Sequence, residues 1–203
     1  MNRVTSELPT RVRLQNAALN FFSTKGFDAT TVDEIAESIG MKGPIIYKYF
    51  SGKEDILTSL HDVTDVDYVK SMGLEEDSLI WIHSGSELKE FTMHQVNYTI
   101  NNDLVAKFRK MCAINQFRNK KMSQEATKHS YDNINNLFEK IFKDMVKNEA
   151  LIDLDPRLMA LEYTSPITVL IQLCDREPER KEELLEKIEQ HIDFFVEMYC
   201  KKK

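Results

Sequence analysis

From Ser86 to Asp155 the chain holds neither glycine nor proline, whereas four of its six glycines (Gly26, Gly40, Gly43 and Gly52) fall within the first 52 residues. A stretch lacking both has nothing to interrupt a helix, while closely spaced glycines stop helices early. The chain must therefore fold as short elements first and long helices after. No stretch alternates at period two and no paired turn signal suggests a hairpin, so the expected fold class is all-α.

The first helix is expected from Thr10 to Lys25, with Leu14, Ala18, Phe21 and Phe22 on one apolar stripe. Gly26 would end it at the C′ position, where positive φ is needed. Thr31-Val32-Asp33-Glu34 reads as a capping box opening a short second helix, with Val32, Ile35, Ala36 and Ile39 on one face and Gly40 ending it. Met41 to Gly43 form a tight turn, and Pro44 suits the first turn of a third short helix. Ser51-Gly52-Lys53-Glu54 reads as a second capping box, opening a helix through Ile56, Leu57, Leu60 and Val63. Two short helices joined by a glycine-led turn make a helix-turn-helix pattern. Further breaks are expected near Met72–Gly73, Ser84–Ser86, Asn101–Asp103, Asn119–Lys121, Asn148–Asp155 and Arg176–Pro178. The helix from Asp155 is apolar nearly all round, which demands burial, and Pro166 should kink it. The last helix, from Pro178, carries Leu184, Leu185, Ile188, Ile192, Phe195, Val196 and Tyr199 on a broad apolar stripe.

Charge and motifs narrow the function. The net charge is −6, yet residues 1–57 hold seven basic and seven acidic groups, so the whole excess lies beyond them. A negative body repels DNA unless the basic groups of the first segment share one face. No apolar run reaches the roughly 18 residues of a membrane span, and residues 1–14 lack the apolar core of a secretion leader, so a cytoplasmic location without membrane contact is expected. Cys112, Cys174 and Cys200 show no Cys-x-x-Cys spacing and read as reduced structural thiols. There is no H-E-x-x-H, P-loop, G-x-S-x-G or dinucleotide fingerprint. Glu90 with His94 and Glu125 with His129 are i,i+4 pairs that could hold a metal, but such pairs are ordinarily exposed helix contacts. No enzyme activity, cofactor or metal is expected. The competing classes are a DNA-binding protein and an all-helical interaction module, and only the first accounts for two capping boxes bracketing a glycine turn and a Tyr47-Lys48-Tyr49 helix.

The stretch Leu14 to Leu57 resembles the DNA-binding domain of the TetR (tetracycline repressor) family. The resemblance is carried by Ala17 to Phe22, Lys25-Gly26-Phe27, Thr30 to Ala36, Ile39-Gly40-Met41, Ile46 to Phe50 and Lys53 to Leu57. It implies that about residues 8–57 bind DNA and about residues 58–203 bind an effector and dimerise. The residues expected at DNA are Thr31, Lys42, Gly43, Pro44, Ile45, Tyr47, Lys48, Tyr49 and Lys53. Of these, Tyr47, Tyr49, Lys48, Lys53 and the helix start at Thr31 would meet phosphates, while Lys42, Gly43, Ile45 and Lys48 face base edges. The Lys42-Gly43-Pro44 triplet departs from the family's usual small hydroxyl residue, which bears on which bases are read.

The resemblance further implies a repressor released from a palindromic operator by a small-molecule effector, working as a homodimer through the last two helices. A constitutive DNA-binding protein without an effector is the alternative. Trp81, Phe91, Met93, His94, Tyr98, Phe108, Met111, Cys112, Asn115 and Phe117 supply an aromatic and sulfur-rich mixture suited to an apolar or amphipathic ligand, with His94, Tyr98 and Asn115 as polar anchors.

Overall fold

The computed structural model describes residues 8–71 and 82–201. Among them the fold is all-α, with no strand and one isolated bridge between Leu151 and Cys200. The helices are α1 (Thr10–Thr24), α2 (Val32–Ser38), α3 (Lys53–Ser71), α4 (Gly85–Asn101), α5 (Asp103–Asn115), α6 (Lys120–Thr127), α7 (Asn133–Lys147), α8 (Pro156–Arg176) and α9 (Lys181–Tyr199). A 3-10 segment, Gly43–Lys48, follows α2, and another, Pro178–Arg180, precedes α9. A π turn at Lys128–Asp132 joins α6 to α7. No described helix is long and apolar enough to cross a membrane.

The boundaries follow local chemistry. The Ser84 side chain caps α4 by accepting the Glu87 N–H. Asp155 caps α8 with Pro156 in its first turn, where the missing N–H costs nothing. α8 runs on through Pro166 to Arg176. The break expected at Met72–Gly73 lies outside the described residues. Ser51 departs from the second capping box as read from sequence, for its N–H donates to Asp55 Oδ2 at 2.8 Å and so the returning carboxylate is Asp55 instead of Glu54.

By packing, the chain groups into two units, Met1–Val69 with Lys107–Gln124, and Lys70–Ala106 with Glu125–Lys203. A division at residue 57 therefore remains a proposal about which residues read DNA, because 58–69 and 107–124 pack with the first segment. The first unit buries Leu14, Ala18 and Phe22 of α1, Ile35 and Ala36 of α2, Ile46, Phe50, and Ile56, Leu57 and Leu60 of α3, together with Phe108, Met111 and Cys112 of α5.

In the second unit Tyr163 of α8 is fully buried among Phe138, Phe142 and Phe195, with ring centroids 5.1, 5.4 and 4.5 Å away. Its hydroxyl pairs with Thr92 Oγ1 at 2.8 Å, which satisfies both buried groups. Burial pushes the phenol pKa well above its usual range. α9 buries Ile188, Ile192 and Phe195 in this core, with Leu185 packed beside them, and Leu184 is buried as well.

α4 can approach α9 this closely only through Gly85, where a Cβ would lie 2.4 Å from Val196 Cγ1 and 3.3 Å from Cys200 Sγ. Overpacking of this kind typically costs about 1–3 kcal/mol. Gly85→Ala should lower the urea midpoint by that order, and adding Val196→Ala should restore part of the loss. Equal midpoints for Gly85→Ala and the native chain would show that the helices separate freely.

Candidate nucleic-acid interface

The turn after α1 sets the geometry. Gly26 takes φ +92, as its place after the helix end requires, and Thr30 Oγ1 donates to Gly26 O at 2.8 Å. α2 then opens with the capping box read from the sequence, in which Thr31 Oγ1 accepts the Glu34 N–H at 3.2 Å and Glu34 Oε2 accepts the Thr31 N–H at 2.8 Å. The Lys25 ammonium pairs with Glu34 Oε1. Lys25 first, and the Thr31 backbone second, hold the Glu34 carboxyl down at about 2. The Thr31 N–H expected to meet a phosphate is therefore engaged within the protein, and a carboxylate sits beside it.

The expected third helix is a 3-10 segment, and its tighter winding sorts the candidate residues. At three residues per turn, positions i and i+3 eclipse. Gly43, Ile46 and Tyr49 share one face, of which Gly43 and Ile46 are buried and Tyr49 partly so. Pro44 and Tyr47 share a second face, both exposed, Tyr47 at 62%. Ile45 and Lys48 share the third, Ile45 half-buried and Lys48 exposed, while the exposed Lys42 lies just before the segment with an extended backbone. Gly43 thus works by packing, since a Cβ there would lie 1.6 Å from Asp33 Oδ1 and 2.8 Å from its Cγ.

The basic groups of this segment divide in two. Lys53 donates to Phe27 O at 2.9 Å and stands 4.6 Å above the Phe27 ring, tying the start of α3 to the turn. Arg11 donates to Tyr49 O at 3.0 Å and lies 4.5 Å from the Phe50 ring centroid, while Arg13 donates to Ile39 O at 2.8 Å. Sequence reasoning missed these two arginines, for nothing local links residue 11 to 49 or 13 to 39. No hydrogen bond or ion pair joins Lys42 or Lys48 to another described residue. These two remain available to an outside anion, flanking the exposed Tyr47.

The candidate effector residues are dispersed. Phe108, Met111, Cys112 and Asn115 are buried in the first unit, and Phe91 is buried in the second. Tyr98 is half-buried and His94 exposed. Asn115 has a structural role, as its Oδ1 accepts the Phe27 N–H at 3.1 Å and its amide donates to Met111 O at 2.7 Å. Phe117 is 93% exposed, past the end of α5, and so lines no interior. Trp81 lies outside the described residues.

Residues 14–60 match the profile of the family described as "Bacterial regulatory proteins, tetR family". The chain is 43% identical over 56 residues to the HTH-type transcriptional regulator YdgC of Bacillus subtilis, a match taking in 28% of each protein. It is 31% identical over 70 residues to the HTH-type transcriptional regulator TtgW of Pseudomonas putida, or 32% of this chain and 52% of that one. The chain thus spans about half or less of the curated relatives it matches. Among solved structures, SmeT, the repressor of the Stenotrophomonas maltophilia multidrug efflux pump SmeDEF, superposes with a TM-score of 0.71 at 17% identity, over 96% of this chain and 92% of that one. A TetR transcription regulator from Haloarcula marismortui gives 0.72 at 11% identity, over 94% and 98%. These structures share the fold.

The Glu34 cap carries a pH signature. Its folded pKa lies below the ordinary value of 4.5, so its stabilisation is fully present above that value and is lost as pH falls toward about 2. In acid titrations followed by circular dichroism, the native chain should be more stable than Glu34→Gln at pH 6, with the gap closing between pH 4.5 and 2. A gap constant across that window would mean that the charge contributes nothing to the cap.

Proposed function

We propose that this chain, a TetR-family protein by its residues 14–60, is a DNA-binding transcriptional repressor that a small apolar or amphipathic effector releases from a palindromic operator. The observation that carries the reading is the pair Lys42 and Lys48 at the two ends of the 3-10 segment, exposed cations that no described residue pairs, with Tyr47 exposed between them. In a chain of net charge −6, two lysines held off the protein's own carboxylates and carbonyls suit phosphate and base-edge oxygens. Lys42 and Lys48 would meet phosphates or guanine edges, Ile45 a thymine methyl, and Tyr47 a phosphate through its hydroxyl. Thr31, Gly43 and Lys53 act behind this face by holding it in place, and Pro44 starts the segment.

One such face makes too few contacts for tight specific binding, so the reading includes a dimer across two half-sites. Its support is apolar surface on the last two long helices, where α8 exposes Leu158, Leu161 and Val169 and α9 exposes Phe194 and Met198. Leu185 and Ile192, on the stripe read from sequence, face the monomer's own core instead, so substitutions there would unfold the unit before testing an interface. For the effector, Phe108, Met111 and Cys112, all buried in the first unit, supply apolar, adaptable side chains. SmeT is also known in complex with triclosan, which supports a small-molecule effector here.

Selection from a random duplex pool, followed by mobility shifts at several salt concentrations, tests the reading. Lys42→Ala with Lys48→Ala should weaken binding to every sequence and lower the salt slope by about 2, near one unit for each lost phosphate contact. An unchanged slope removes the face from the interface. Phe194→Asp with Met198→Asp should sediment as a folded monomer, and a native chain that is monomeric at micromolar concentration would overturn the dimer.

A further inference from the structure

We infer that Asp33 is a specificity-determining residue that selects a cytosine in each operator half-site by accepting a hydrogen bond from its N4 amino group, an assignment that rests on the DNA-binding reading above. Asp33 belongs to α2, but its carboxylate lies against the start of the 3-10 segment, so close to Gly43 that any Cβ there would overlap Oδ1. The residue is exposed, and no hydrogen bond or ion pair joins it to another described residue. Its neighbour Glu34 is occupied by Thr31 and Lys25, whereas Asp33 does no comparable work in the fold.

A free carboxylate beside Gly43 on a surface meant for DNA is costly, because it repels every phosphate regardless of sequence. What a carboxylate offers that no other side chain does is an acceptor-only group, and in the major groove cytosine presents its N4 amino donor. Guanine O6 and N7 and thymine O4 are acceptors and are repelled by the same oxygen. The charge therefore lowers affinity for wrong sequences more than for the right one, which is discrimination by repulsion. Gly43 completes the device: lacking a Cβ, it leaves room for the carboxylate and braces it at the start of the 3-10 segment.

The test uses the full chain. Sites are selected from a random duplex pool, and affinities are then measured for every single base-pair change in the selected site, with native protein, Asp33→Asn and Gly43→Ala. The native protein should prefer cytosine at one position per half-site by roughly tenfold or more, the usual scale for a mismatched pair. Asp33→Asn is isosteric and should lose that preference or turn it to adenine, whose N6 and N7 suit an amide, with other positions unchanged. Gly43→Ala displaces the carboxylate without removing it and should flatten the same position. A uniform gain in affinity for all sequences in Asp33→Asn, with every positional preference intact, would overturn the inference. A native chain that selects no sequence at all would overturn the DNA-binding reading itself.

Discussion

The first unit depends on satisfying one buried turn. Phe27 is 4% exposed and packs on Phe22 with ring centroids 5.0 Å apart, and Gly26, Phe27 and Thr30 of the turn are buried. A buried peptide group without a partner costs about 1–3 kcal/mol, so each must find one. The Phe27 N–H finds Asn115 of α5, its carbonyl accepts from Lys53 of α3 and from the Thr30 N–H, and Gly26 O accepts the Thr30 hydroxyl. Two elements far along the sequence, α3 and α5, are thereby fixed to a single turn. This is why residues 107–124 pack with the N-terminal segment although a long stretch of chain separates them.

The same requirement decides which charges reach the surface. Lys53 serves the turn, and Arg11 and Arg13 serve the carbonyls of Tyr49 and Ile39 at the ends of the neighbouring elements. Lys25 is neutralised by Glu34. Of the basic residues described in this segment, Lys42 and Lys48 are those left for a partner. An even balance of charges along the sequence thus becomes a local excess on one face, through backbone hydrogen bonding and not through composition.

What could be read from the sequence was local. The Thr31–Glu34 box, the stop at Gly26 and the breaks at Ser84 and Asp155 each involve residues within four positions of one another, and each appears where its chemistry puts it. The resemblance in residues 14–57 is local too, and falls within the residues 14–60 that match the family profile. The roles of Asn115, Lys53, Arg11 and Arg13 depend on partners 26 to 88 residues away, which no periodicity announces. Residues 81–117 looked like a single ligand-lining set only because aromatic and sulfur side chains serve cores and pockets alike. Asn115 turned out to hold a turn, and Phe117 to stand in solvent. On α9 the stripe was correctly apolar, but Phe194 and Met198, exposed, lie off it.

The winding of the Gly43–Lys48 segment decides which of its side chains share a face. An α-helix turns about 100° per residue, whereas at about 120° residues three apart return to the same side, as Ile45 does with Lys48 and Pro44 with Tyr47. The tight winding is held at its ends by Ile45 N–H on Lys42 O at 3.0 Å and Tyr49 N–H on Ile46 O at 2.8 Å. It is favoured from below, because a three-residue period is what brings Gly43 against Asp33 while Ile46 stays fully buried. Close packing on the inner face, not helix propensity, thus decides which side chains of the segment face outward.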